Sequence, residues 1–206
     1  MKLAIINYGM GNLRSIENAF QSLGCPTQVA SCPSELISAT HIVLPGVGAF
    51  ADGIKNLENG GWVDALEEEI KHKEKPFLGL CLGMQLFATR GTEHGLNPGL
   101  NLIPGIVKKI QCEDSDIRIP HIGWNDVRII KKDGLLAGLG DSQVFYFVHS
   151  YVFRPNDIAV VSSYCSYGVE FTASLKAGNI CGTQFHPEKS QKAGLKVLRN
   201  FMNMGG

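Results

Sequence analysis

The sequence predicts an α/β fold: a doubly wound, largely parallel sheet flanked by helices, with antiparallel strands added in its second half. Three observations carry that expectation. Short apolar runs alternate with segments of helical periodicity as far as Arg90, the pattern of parallel strands joined by crossover helices. After Arg90, strand-like segments follow one another without helices between them, as antiparallel pairing requires. A chain of 206 residues, 44% of them hydrophobic, buries a sizeable core near the upper size of one compact domain. No Pro-, Ser- or charge-rich linker and no internal repeat divides residues 1–206, so a single domain is expected.

Residues 3–6, Leu-Ala-Ile-Ile, read as a buried first strand that enters the loop Tyr8-Gly9-Met10-Gly11-Asn12. Leu13, Ile16, Ala19, Phe20 and Leu23 then recur at helical spacing, and Gly24 supplies the stop. The loop is no dinucleotide fingerprint: Arg14 stands where its third glycine belongs, and no carboxylate follows about twenty residues on. Strands are expected at 27–30 and 41–44, the latter running into Pro45-Gly46-Val47-Gly48-Ala49-Phe50. Helical spacing resumes at Ile54 and Leu57 and again over 62–70. Residues 91–101 read as a glycine-rich loop, followed by strands at 102–110, 127–130, 144–148, 159–162, 169–175 and 180–185 and a last helix over 191–202.

Chemistry concentrates in two stretches. Lys75-Pro76-Phe77-Leu78-Gly79-Leu80 reads as a buried strand and residues 84–90 as a helix, which leaves Cys81 on the turn between them. Glycines at both second neighbours, Gly79 and Gly83, permit a backbone tight enough to push one side chain outward, as in strand-turn-helix nucleophile elbows. A thiol facing a helix N-terminus gains from its partial positive charge, which favours the thiolate. The second stretch is Gly182-Thr183-Gln184-Phe185-His186-Pro187-Glu188-Lys189-Ser190, where an apolar strand delivers His186 to the same sheet edge. Cys81, a distant His186 and a carboxylate at Glu188 to orient the imidazole are the parts of a nucleophilic triad. Glu188 taken alone reads as a surface residue in a turn, and His94 as a solvated loop residue.

Composition narrows the partners. Nineteen Lys+Arg balance nineteen Asp+Glu, and the longest like-charge block is Glu67-Glu68-Glu69, so neither nucleic acid nor an anionic membrane is expected to bind. No apolar run approaches the roughly 20 residues that span a bilayer. Six scattered cysteines show no Cys-x-x-Cys pair and no His-bearing metal spacing. With only four apolar residues between Lys2 and Asn7, no secretory leader is read, and a cytoplasmic, reducing setting is expected without metal or cofactor.

Gly-Leu-Cys-Leu-Gly-Met-Gln around Cys81, together with Gln-Phe-His-Pro-Glu-Lys-Ser around His186, resembles the triad glutamine amidotransferases, the class I glutaminase family. Pro45 to Phe50, Pro120-His121-Ile122-Gly123-Trp124-Asn125 and Tyr146-Phe147-Val148-His149-Ser150-Tyr151 narrow the likeness to one branch, the glutaminase subunits of imidazole glycerol phosphate synthases. The resemblance implies a class I glutamine amidotransferase-like fold and hydrolysis of L-glutamine through a Cys81 thioester. His186 and Glu188 would complete the triad. Leu82 and the Gly46-Val47-Gly48 loop would hold the oxyanion, and Gln85 with the backbone at His149 and Ser150 would hold the substrate. It also implies a heterodimer with a cyclase subunit, typically a (β/α)8 barrel. That subunit takes the ammonia to make imidazole glycerol phosphate, for histidine synthesis, and a purine precursor. Asn12, Pro120, His121, Gly123, Trp124, Asn125 and Lys189 would face that partner, although Trp124 equally suits packing within its own subunit.

Ile122 stands where this branch has Met, and the loop over 91–99 is longer than the common form. A paralogous glutaminase feeding another synthase, such as one that amidates a surface sugar, is the nearest alternative. A free-standing cysteine hydrolase would need neither Gln85 nor the Pro-Gly-Val-Gly loop, and a non-catalytic flavodoxin-like module would need no reactive thiol.

Overall fold

In the computed structural model, which describes residues 1–112 and 117–205, the central strands are buried on both faces and split their side chains between two cores. Leu3 and Ile5 of β1 (Leu3–Ile6) enter one core, and Ala4 and Ile6 the other. The period of two along a strand leaves no alternative when helices cover both faces.

The strands that follow are β2 (Thr27–Ala30), β3 (His41–Leu44), β4 (Phe77–Leu80), β5 (Arg90–Gly91), β6 (Asn97–Pro98) and β7 (Gly105–Lys109). Then come β8 (His121–Ile129), β9 (Ser142–His149), β10 (Tyr151–Pro155), β11 (Val161–Tyr167), β12 (Val169–Ala177) and β13 (Ile180–Thr183). Nine of them form one sheet in the order β2-β1-β3-β4-β13-β12-β11-β8-β9. The five from β2 to β13 pair in parallel, and the remaining pairs are antiparallel. The expected doubly wound core with antiparallel additions is therefore present. α1 (Leu13–Ser22) and α5 (Gln191–Met202) cover one face with Phe20, Leu198 and Phe201; α2 (Phe50–Asn59) and α3 (Trp62–Leu66) cover the other with Phe50, Leu57 and Trp62. No helix among the described residues is long and apolar enough to cross a membrane.

Four expectations change, the first being the strand expected over 159–162, which is a 3-10 turn at Ile158–Val160 leading into β11. The helix expected over 84–90 is one turn, α4 (Leu82–Gln85), because the carbonyls that would extend it are taken from outside. Leu100 N–H donates to Leu86 O, Leu102 N–H to Phe87 O and Asn101 N–H to Ala88 O. Arg90 then pairs with Ile106 as a strand. The expected loop over 91–101 contains β6, and β10-β7-β5-β6 form a second small sheet whose Val107 and Phe153 pack into the α2-side core. Helical structure after α3 continues through Glu67–His72 in a wider π turn.

Candidate active site

The site is built from strand ends. Cys81 follows β4 with φ +53° and ψ −107°, a conformation that L residues rarely hold, and its side chain is buried. The flanking glycines are sterically required. A Cβ at Gly79 would lie 2.4 Å from the Phe87 ring and 2.7 Å from the Met84 nitrogen, and one at Gly83 would lie 2.0 Å from the Leu44 oxygen. Cys81 N–H donates to Thr183 O at 2.8 Å, while Met84 and Gln85 N–H donate to Cys81 O. Leu82 opens α4, so its N–H has no acceptor within the helix and stays free for a ligand.

β13 lies beside β4 in the register Thr183↔Leu80, which carries Gln184, Phe185 and His186 to the same edge. His186 N–H donates to Tyr146 O at 2.9 Å, and its Nδ1 pairs with Glu188 Oε1 at 2.8 Å, both side chains being almost fully covered. A single 3-10 turn, Pro187–Lys189, sets that spacing. Ser190, given no role by the sequence, fixes the turn by donating to His186 O at 2.6 Å and accepting Tyr146 N–H at 3.0 Å. Burial alone would lower the His186 pKa. The charge of the nearby Cys81 sulfur, seconded by Glu188, reverses that and holds the imidazole above its ordinary range. His186 Nε2 is buried without a hydrogen-bond partner, so a proton there is available to a reacting group.

A cavity of about 240 Å³ opens over the sulfur, with Val47, Gly48, Leu82, Gln85 and Glu93 on one side and residues 148–151 on the other. At roughly 30 Å³ per water it displaces about eight waters, enough for one small amino acid. Gly46 supports the loop without lining the cavity: its Cβ position lies 2.8 Å from Gly83 N and Leu82 Cβ. Glu93 is a residue the sequence left unassigned. Its carboxylate accepts Phe50 N–H at 2.7 Å across 43 positions, which holds an acidic group at the rim.

The positions expected at a partner surface divide by strand face. Asn12, Pro120, Trp124 and Lys189 are exposed, and Asn12 and Lys189 border a small crevice with His186 and Glu188. His121 is a correction: it is buried, stacked between Tyr167 at 3.9 Å and Phe147 at 4.8 Å, and does not reach the surface. Asn125 also turns inward, donating to Ser166 O at 3.0 Å, while Gly123 takes φ +133° between them. The strand's alternation held the signal, because an exposed Trp124 puts residues 121, 123 and 125 on the opposite face.

A family model, "Glutamine amidotransferase class-I", matches residues 4–204. The chain is 46% identical over 207 residues to "Imidazole glycerol phosphate synthase subunit HisH" of Geobacter sulfurreducens, covering 98% of this chain and 99% of that protein. It is 46% identical over 202 residues to "Imidazole glycerol phosphate synthase subunit HisH 1" of Campylobacter jejuni, covering 98% and 100%. Among solved structures, one titled "Crystal structure of glutamine amidotransferase" superposes with TM-score 0.76 at 19% identity, covering 97% of this chain and 96% of that one. "Structure of PurLQS from Thermotoga maritima" gives TM-score 0.75 at 16% identity, covering 98% and 97%. These two establish a shared fold.

Proposed function

The chain belongs to the class I glutamine amidotransferase family, and from that premise we propose that it hydrolyses L-glutamine and supplies the ammonia to an imidazole glycerol phosphate synthase. The observation that carries this reading is the strained Cys81 elbow on a cavity sized for one amino acid, with the buried His186–Glu188 pair near enough for the sulfur's charge to act on the imidazole. The names of the near-full-length relatives support this synthase over another ammonia acceptor.

In the proposed cycle the Cys81 sulfur attacks the side-chain amide carbon of glutamine. The carbonyl oxygen becomes an oxyanion held by Leu82 N–H and by the backbone of Val47 and Gly48, in the loop that Gly46 supports. Donors placed where that charge develops contribute about 10²–10³ each in comparable sites. His186 protonates the nitrogen as the C–N bond breaks, leaving a thioester and free ammonia. It then takes a proton from water, whose oxygen displaces the sulfur to give glutamate. Glu188 holds the imidazole in the productive tautomer throughout. Gln85 and the 148–151 backbone orient the substrate, and Glu93 offers a counter-charge to its α-ammonium group.

Ammonia released into neutral water is protonated and loses its nucleophilic lone pair, so the reading includes a partner subunit that receives it directly. A (β/α)8-barrel cyclase in a heterodimer, seated over the exposed Asn12, Trp124 and Lys189, is the proposed form of that partner. A single domain over 1–206 and a cytoplasmic setting belong to the same proposal. The test uses the complex. Cys81→Ser is expected to abolish glutamine-dependent synthesis and to spare synthesis driven by an added ammonium salt. Loss of both activities would refute the division of labour.

A further inference from the structure

Polar groups running from half-buried Asn125 to the cavity wall at Tyr151 form a hydrogen-bonded chain with a fixed direction. Asn125 Oδ1 accepts Asp126 N–H at 2.8 Å, so Asn125 Nδ2 is the group that faces His121 Nε2 at 3.3 Å. A donor at that end makes His121 Nε2 the lone-pair nitrogen, and His121 Nδ1–H then donates to His149 Nε2 at 3.1 Å. At the other end Tyr151 O can only accept, so the His149 proton sits on Nδ1, 3.0 Å away. Both ends demand the same tautomers. Tyr151 O also accepts from Gln85 Nε2 at 2.8 Å, and Gln85 Nε2 donates in addition to Gln184 Oε1 at 3.0 Å. With its oxygen engaged in this way, Gln184 turns its Nε2 toward the Cys81 sulfur, 3.5 Å distant.

We propose that Gln184 is a catalytic residue: its carboxamide N–H donates to the Cys81 sulfur and stabilises the thiolate, and Gln85 fixes which end of that amide faces the nucleophile. The proposal deepens the glutaminase reading and rests on it. Gln184 is fully buried on the segment just after β13, where an apolar side chain of equal size would pack without the cost of desolvating an amide. Instead both ends of its carboxamide are engaged, one of them by the reacting atom. Hydrogen bonds to an ionised acceptor are about twice as strong as neutral ones, so this contact strengthens as the thiol loses its proton. The thiol's own donation, to Val148 O, is long at 3.8 Å, and little is lost when it goes. That proton passes to His186 Nε2, which has no other hydrogen-bond partner, and the imidazolium so formed is the state that the sulfur's charge favours.

The test measures iodoacetamide alkylation of the full chain at neutral pH. The Cys81 peptide is quantified by mass spectrometry against exposed Cys32 as an internal reference. Gln184→Met, which keeps the volume and removes the donor, is expected to slow Cys81 relative to Cys32 by about 3- to 10-fold: the lost hydrogen bond lowers the thiolate fraction by about 10- to 100-fold, and the more basic sulfur recovers about half of that, on a logarithmic scale, as nucleophilicity. Its rate–pH profile should also move to higher pH. Gln184→Glu, which sets a carboxylate against the sulfur, should act in the same direction. Should either buried substitution prevent folding, Gln85→Met decides the matter: with the amide free to turn, Cys81 should slow a few-fold.

A wild-type or faster Cys81 rate in the folded variants would show that Gln184 only packs, since loosened packing exposes a buried thiol. That result overturns the proposal. If the wild-type complex fails to hydrolyse glutamine, the glutaminase reading falls separately, and the alkylation ratio still decides whether the hydrogen bond acts on the sulfur.

Discussion

The two halves of the nine-stranded sheet serve one cavity by different means. From the parallel half come the side chains proposed to react: Cys81 at the end of β4 and His186 and Glu188 just beyond β13. From the antiparallel half comes mostly backbone, residues 148–151, steadied by the cross-strand pair His121↔His149 and by the aromatic stack around Phe147. A nucleophile elbow is specified by a few consecutive residues. A substrate wall is specified by register, which depends on every pair along two long strands. Chemistry should therefore fail when the first half is altered, and stability when the second is.

The largest effect that sharpens this contrast is expected from Glu188→Gln. An amide can turn a donor toward His186 Nδ1 and impose the wrong tautomer, so kcat for glutamine should fall by about 10³–10⁴. The midpoint of denaturant unfolding should move far less than kcat does. A variant that keeps more than a tenth of wild-type kcat would remove Glu188 from the triad.

Phe147→Ala probes the other half. Phe147 is fully buried, 5.8 Å from the Phe171 ring and 6.0 Å from that of Phe185, and truncating such a side chain costs about 3–5 kcal/mol. Urea denaturation should register that loss. KM for glutamine should rise through the 148–151 wall, while kcat of the folded fraction stays within a few-fold. A collapse of kcat with unchanged stability would break the contrast.

The same division explains what the sequence revealed. The elbow was legible because strand, turn and helix are adjacent, and glycines two residues either side of a cysteine have a steric meaning that Gly79 and Gly83 bear out. The small sheet was not legible, because Arg90–Gly91 and Asn97–Pro98 are too short to carry a period. The short α4 depends on donors from residues 100–102, and the place of Glu93 depends on a bond to Phe50; neither leaves a local mark. Gln184 lay in plain view beside His186. Its role depends on Gln85, 99 positions away, and on the β4–β13 register that joins them.

Histidine titration gives the finest separation of the two halves, because their imidazoles shift in opposite directions. In the antiparallel half, burial pushes His121 down to about 4, and burial with the neighbouring His121 and His186 charges pushes His149 down to about 3, from an ordinary value of 6.5. The unfolded chain therefore binds protons that the folded chain refuses. The stability these groups contribute is complete above about pH 6.5 and drains away as pH falls toward 4 and then 3. His186 behaves oppositely: its share is complete below the ordinary value and is lost as pH rises through its elevated one. Unfolding free energy should thus decline between pH 6.5 and 4.5 with a slope approaching about 1.4 kcal/mol per pH unit for each of the pair. His41, also lowered by burial, adds to it. His121→Asn should flatten that acid slope by about one proton, whereas Cys81→Ala should leave it intact and soften only the alkaline side, since it removes the sulfur charge that raises His186. An acid slope insensitive to His121→Asn would mean that His121 takes its proton in the folded chain as readily as in the unfolded one, and the one-directional chain of hydrogen bonds from Asn125 to Tyr151 would then not persist below about pH 6.5.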